Sequence, residues 1–147
     1  MISTYVISKG LISAPIEKVW PIIRGFNSLP KWHPYVNTSS LIEGSCEASV
    51  GAVRKFEQTD GSIVVERLLG LDDLNYSIKY RLLEAPIPVE NYIASIDLIP
   101  VPSLNKTIIS WRADYQTAPD VAANLNIKLD EVFRMGFDKL NKMLINS

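Results

Sequence analysis

The sequence predicts an α+β domain in which a curved antiparallel sheet of about seven strands wraps around one long C-terminal helix, with two short helices after the first strand. Three observations carry this expectation. Between Val36 and Tyr115, short runs rich in β-branched and aromatic residues alternate with turn-forming stretches, the pattern of an antiparallel meander. From Asp120 to Leu144 the apolar residues recur at steps of three and four, which is the period of an amphipathic helix. Apolar faces of both kinds need a partner, and a sheet curled around the terminal helix supplies one.

The elements follow in order. The stretch TYVISKGLIS, residues 4–13, reads as the first strand. In SAPIEKVWPIIRGF, Ser13 is placed to cap a short helix, Pro15 stands near its start, where a missing N–H costs nothing, and Glu17 lies in its first turn. Pro21 and Gly25 break that helix up, and NSLPKW has room for another turn or two before Pro34 returns the chain to extended structure. Strands are expected at Val36–Glu43, Ala52–Gln58, Ser62–Leu71, Asn75–Leu83, Tyr92–Pro100 and Lys106–Tyr115, separated by EGSCEASVG, TDGS, LDDLN, EAPIPVEN and PVPSLN. Each separator supplies the Gly, Pro, Asp or Asn that a turn needs. In the terminal helix, Asp120 is positioned as the cap, and Leu125, Leu129, Val132, Gly136, Leu140 and Met143 form a stripe widened by Phe133 and Phe137. No repeat or linker divides the chain, so residues 1–147 form a single domain.

The register of one hairpin can be read from charge. In GAVRKFEQTDGSIVVERLL, a two-residue Asp60–Gly61 turn would set Arg54 opposite Arg67. A three-residue turn, with Gly61 left-handed and forming a bulge, sets Arg54 opposite Glu66 and gathers Ala52, Phe56, Val64 and Leu68 on one face. Opposite charges across strands stabilise, and the core needs one apolar face, so the bulged hairpin is selected. Arg54 and Glu66 are then expected to point inward as a pair, either as the polar end of a binding site or as an ion pair that fixes register.

Composition excludes several functions. At 147 residues and 47% hydrophobic, the chain is long enough to bury about two thirds of its unfolded surface in one core. Fifteen basic against sixteen acidic residues give a net charge of -1, and the signs alternate through the tail from Lys128 to Lys142, so no nucleic-acid partner is expected. The single histidine, His33, and single cysteine, Cys46, cannot build a zinc site, and the Gly44–Gly51 loop lacks the lysine of a phosphate-binding loop; no metal or cofactor is expected. Asp72 and Asp73 occupy a turn, where Asp serves the backbone. No apolar run approaches the ~18 residues of a membrane-spanning helix, and MISTYVISKG lacks signal-peptide features. The lone cysteine agrees with a reducing cytoplasm as the predicted location.

Over essentially its whole length the chain also resembles a known group. The stretches ISAPIEKVWPIIRGFNSLPKWHP, GAVRKFEQTDGSIVVERLLGLDD, YRLLEAPIPVENYIASIDLIP and ISWRADY are similar to the polyketide cyclase/dehydrase-like branch of the START-related superfamily. That superfamily has the helix-grip fold and includes the birch-pollen allergen and lipid-transfer domains. The resemblance implies a cavity between sheet and helix for a small hydrophobic or amphipathic molecule of the lipid, steroid, polyketide or phenolic type. Catalysis of cyclisation or related chemistry is confined to a minority of its members.

The residues fit a cavity. Tyr76, Ile78, Tyr80 and Leu82 share one strand face, Tyr92, Ala94, Ile96 and Leu98 another, and Ile109, Trp111, Ala113 and Tyr115 a third. Such faces are either plain core or the wall of a partly polar interior, and several inward phenols and an indole favour the second. The candidate ligand-binding residues are Trp32, His33, Arg54, Glu66, Tyr80, Tyr92, Trp111, Phe133 and Phe137. His33, on a stiff segment between Trp32 and Pro34, is expected either at the pocket entrance as a hydrogen-bonding group or as a half-exposed brace of the short helix. Ligand binding without chemistry is the preferred function. An enzyme using His33, Arg54, Glu66 or a pocket tyrosine for proton transfer is the alternative, and a protein-interaction scaffold a third.

Overall fold

The computed structural model describes residues 1–42 and 44–145. Strand β1 (Ile2–Ile12) is followed by helices α1 (Ile16–Ile23) and α2 (Leu29–Trp32). Strands β2 (Val36–Leu41), β3 (Val53–Gln58), β4 (Ile63–Asp72), β5 (Ser77–Glu84) and β6 (Glu90–Val101) come next. A 3-10 turn (Pro102–Leu104), strand β7 (Lys106–Thr117) and the long helix α3 (Ala122–Leu144) complete the chain. The expected end of the second strand, Glu43, lies outside the described residues.

All seven strands form one antiparallel sheet in the order β1-β7-β6-β5-β4-β3-β2. Strands β2 to β7 pair with their chain neighbours, while β1 closes the far edge against β7, so the segment holding α1 and α2 must cross from one edge to the other. The bulged hairpin is present: Gly61 has φ +84°, Arg54 pairs with Glu66, and Ala52, Phe56, Val64 and Leu68 are all buried. The three expected inward faces hold as well, with Ile78, Tyr80, Tyr92, Ala94, Ile96, Leu98, Ile109, Trp111, Ala113 and Tyr115 buried. Tyr76 departs from the first face. It adopts φ +56° in the β4–β5 turn, so the strand begins at Ser77, and its ring meets the edge of Trp20.

Helix termini differ from expectation. Neither Ser13 nor Asp120 caps a helix. Pro15 occupies the cap position of α1 and its carbonyl accepts the Lys18 N–H, while the Ser13 N–H is taken by Asn141 Oδ1. Ala118–Val121 forms a turn, closed by the Val121 N–H on the Ala118 carbonyl, that runs straight into α3, so Val121 takes the place foreseen for Asp120. Pro21 does not break α1, which continues to Ile23. Glu17 and Pro21 are both exposed, so the carbonyl that loses its donor lies on the solvent side. Met143 is exposed rather than in the stripe of α3, and Leu144 is buried in its stead.

Helix α3 lies against β1, β7 and α2. One of its faces is a polar seam spaced by four residues and then seven. Asn126 bonds Thr4 and Tyr115, Asp130 accepts from Ser8, Arg134 donates to the Lys9 carbonyl, and Asn141 donates to the Leu11 carbonyl. The adjacent stripe of Leu125, Leu129, Phe133 and Phe137 is buried.

Candidate functional site

Between that stripe and the β3–β6 half of the sheet lies a cavity of about 190 Å³. Alternation along each strand builds its wall: Arg54 and Phe56 from β3, Val64 and Glu66 from β4, Tyr80 and Leu82 from β5, Tyr92 from β6 and Trp111 from β7. Leu125, Leu129 and Phe133 face them from α3, with Trp111 stacked on Phe133 at 4.3 Å between ring centroids. The mouth is framed by Gln58 and Asp60 of the β3–β4 hairpin, by Ala85, Pro86 and Ile87 of the β5–β6 loop, and by Lys128.

The polar end is built on Arg54 and Glu66, both about 5% exposed. Arg54 Nε and Nη2 donate to the same carboxylate oxygen, Glu66 Oε1, at 3.0 and 2.7 Å, while Nη1 donates to the Phe26 carbonyl. The guanidinium lies over the Phe26 ring at 4.2 Å and has the Tyr80 ring at 5.1 Å, so aromatic faces cover what the hydrogen bonds leave. Burial pushes the Glu66 carboxyl up, and the charge and hydrogen bonds of Arg54 oppose this. Among the described residues no donor reaches the other carboxylate oxygen, Oε2.

Two phenols complete this end. Tyr80 Oη accepts the Trp111 Nε1–H at 2.9 Å and keeps its own proton for another partner. Tyr92 stacks on Tyr115, and among the described residues nothing hydrogen-bonds its hydroxyl. Burial raises both hydroxyls well above the ordinary tyrosine range, with Glu66 adding to it, so both remain neutral donors.

His33 is neither at an entrance nor half exposed. It is 2% exposed and contributes to the cavity wall, yet both ring nitrogens are taken by the protein. Nε2 donates to the Val132 carbonyl of α3 at 2.8 Å, and Nδ1 accepts the Tyr35 N–H at 3.2 Å. Burial first, then the charges of Lys139 and Arg54, lower its pKa to about 4 against the opposing effect of the Val132 bond. The ring therefore pins the α2–β2 junction to the middle of α3. Gly136 makes this possible, because a Cβ there would stand 2.8 Å from Trp32 and 3.0 Å from His33.

Of the residues singled out from sequence, His33, Arg54, Glu66, Tyr80, Tyr92, Trp111 and Phe133 come together around the cavity. Trp32 and Phe137 do not line it. Both are buried behind the wall, where Trp32 packs on Trp111 and His33, and Phe137 lies under Gly10 of β1. Sequence reasoning missed the mouth loop Ala85–Ile87, for which the available signal was the apolar Ala85 and Ile87 set beside Pro86 and Pro88.

A sequence model of the family described as "Polyketide cyclase / dehydrase and lipid transport" matches residues 8–144. The chain belongs to this polyketide cyclase/dehydrase and lipid transport family. Among curated proteins it is similar to the abscisic acid receptor PYL2 of Arabidopsis thaliana, with 32% identity over 84 residues. That match covers 55% of this chain and 43% of the receptor. Solved structures extend the likeness to nearly the whole chain. An uncharacterized protein from Bacillus thuringiensis has a TM-score of 0.87 at 27% identity, covering 97% of this chain and 99% of its own. The protein XoxI from Bacillus cereus has a TM-score of 0.82 at 30% identity, covering 99% and 96%. Among the described residues no helix is long and apolar enough to cross a membrane.

Proposed function

We propose that the protein binds and carries a small amphipathic molecule in this cavity without transforming it. The observation that carries the reading is an apolar chamber whose inner end offers hydrogen-bonding atoms that the protein itself leaves unengaged: Glu66 Oε2 and the protons of Tyr80 and Tyr92. Among the described residues no fully buried side-chain N or O atom is left unpaired, so these atoms face the void, and a ligand that pairs them gains orientation as well as affinity. Similarity to a protein named an abscisic acid receptor agrees with small-molecule binding.

Binding is favoured over catalysis by the state of the acid–base groups. Neither nitrogen of His33 is free, and at neutral pH the ring is uncharged. Glu66 is anchored by two Arg54 bonds to one oxygen, which suits an orienting group better than one that must shuttle a proton.

The test is to identify by native mass spectrometry what copurifies with the protein, then to titrate delipidated protein with apolar dyes while following tryptophan emission. Dye binding should quench emission in the wild type, and Trp111→Phe should abolish most of that response, because Trp111 lies in the wall. Absence of both a copurifying molecule and any dye binding would refute the reading.

A further inference from the structure

We infer, on the ligand-binding reading above, that the cavity selects a neutral compact ring compound bearing a hydroxyl group and discriminates against carboxylates. The charge at the inner end is already balanced. Arg54, the cation that meets the inner end, directs three nitrogens at protein acceptors: Nε and Nη2 at Glu66, Nη1 at the Phe26 carbonyl. A carboxylate arriving there would meet a guanidinium whose charge Glu66 already balances and three of whose five N–H groups are taken, and would stand beside the Glu66 carboxylate itself. An ammonium would meet Arg54 in the same way.

A hydroxyl suits what is left. It can donate to Glu66 Oε2 and accept from Tyr92, whose neutral phenol keeps its proton and has no hydrogen-bond partner among the described residues, while Tyr80 Oη is already bonded to Trp111. Glu66, Tyr80 and Tyr92 are all at least nine-tenths buried and all line the cavity. At the mouth the charges are likewise offset. The Asp60 carboxyl lies below its ordinary range, chiefly through bonds from the Ser62 hydroxyl and N–H and last through Lys128, so Lys128 is matched by an acid.

Volume sets the size. An apolar cavity of roughly 150 Å³ holds a benzene molecule. At about 190 Å³ this chamber takes one ring with short substituents, in preference to a long acyl chain or a sterol.

The experiment is calorimetric titration of delipidated protein at neutral pH with four compounds of one shape: 4-methylphenol, 4-methylbenzoate, 4-methylbenzylamine and p-xylene. The phenol should bind at least tenfold tighter than each of the others, the factor expected of a hydrogen bond to a charged acceptor. Glu66→Gln, which leaves Arg54 uncompensated, should reverse the order of phenol and benzoate. Tyr92→Phe, which removes a single hydroxyl and fills the same space, should narrow the phenol to p-xylene ratio and leave p-xylene affinity unchanged; it decides the matter if Glu66→Gln fails to fold. Equal or tighter binding of the benzoate or the amine by the wild type overturns the selectivity while leaving the cavity's binding role intact, as does an unchanged ratio in Tyr92→Phe. Failure of all four to bind, p-xylene included, overturns both.

Discussion

Acidification should unlock the fold at His33, and a substitution that cannot titrate should abolish that sensitivity. The neutral ring uses Nε2–H as a donor to the Val132 carbonyl and Nδ1 as an acceptor from the Tyr35 N–H. A second proton would have to go on Nδ1, where it would confront an N–H and would add charge near Lys139 and Arg54. The folded-state pKa is therefore about 4 against an ordinary 6.5. Because the folded value is the lower one, the unfolded chain binds more protons between the two. The contribution is thus fully present above pH 6.5 and is lost as the pH falls toward 4. The 2.5-unit difference between 6.5 and 4 corresponds to about 3 kcal/mol. Carboxylates titrate in the same window, so the quantity to measure is the difference in urea-unfolding free energy between wild type and His33→Gln from pH 7.5 to 4. The glutamine amide keeps a donor for Val132 and has no titration. The variant starts less stable at pH 7.5, and the gap should close by about 3 kcal/mol on acidification. Parallel profiles, with a gap that stays constant, would refute a buried, neutral His33.

Two further outcomes follow from the same packing. Gly136→Ala should destabilise by about 1–3 kcal/mol in urea unfolding despite alanine's better helix propensity, because the new Cβ would press on Trp32, His33 and Trp111 at 2.8, 3.0 and 3.4 Å. Arg54→Leu should cost about 3–5 kcal/mol at pH 7.5 by stranding a buried carboxylate. Its stability should recover on acidification, since Glu66 then has a raised folded-state pKa and the folded chain binds the extra proton. The double substitution Arg54→Leu with Glu66→Leu should lie well above Arg54→Leu alone in the same titration.

Much of this was legible in the sequence where a local rule and a global need coincide. The Arg54–Glu66 register could be chosen because turn chemistry, cross-strand charge and the apolar face of Ala52, Phe56, Val64 and Leu68 agree. The face alternation of β5 to β7 placed Tyr80, Tyr92 and Trp111 correctly for the same reason. Legibility failed where several elements share one residue. Helix periodicity puts Phe133 and Phe137 on one stripe, four residues apart, yet only Phe133 reaches the cavity, because Phe137 lies where α3 presses on Gly10 of β1. Nothing local separates the two. His33 was misplaced because its partners, the Tyr35 N–H and the Val132 carbonyl, are backbone groups, one of them ninety-nine residues away, and backbone carries no sequence signal. Ser13 and Asp120 look like caps by residue type, but Pro15 and Val121 hold those positions through the turns that precede each helix.

The position of the cavity follows from how α3 is attached. Its polar seam of Asn126, Asp130, Arg134 and Asn141 ties it along β1 and to Tyr115 of β7, so the helix belongs to one half of the sheet. Two glycines tighten the C-terminal part of that attachment: Gly10 admits the Phe137 ring, and Gly136 admits Trp32 and His33 from α2 and its exit. The sheet keeps curling away through β6 to β3, and the N-terminal part of α3 sends the apolar side chains of Leu125 and Leu129 across the gap. Side chains of that length, facing Phe56 of β3, Val64 of β4 and Leu82 of β5, do not fill the space. The void therefore lies between this part of α3 and the sheet, with exposed Lys128 and Asp60 at its mouth and the buried pair Arg54 and Glu66 of β3 and β4 in its wall. A ligand with its polar group leading would enter between Asp60, Pro86 and Lys128 and meet the unengaged oxygen of Glu66.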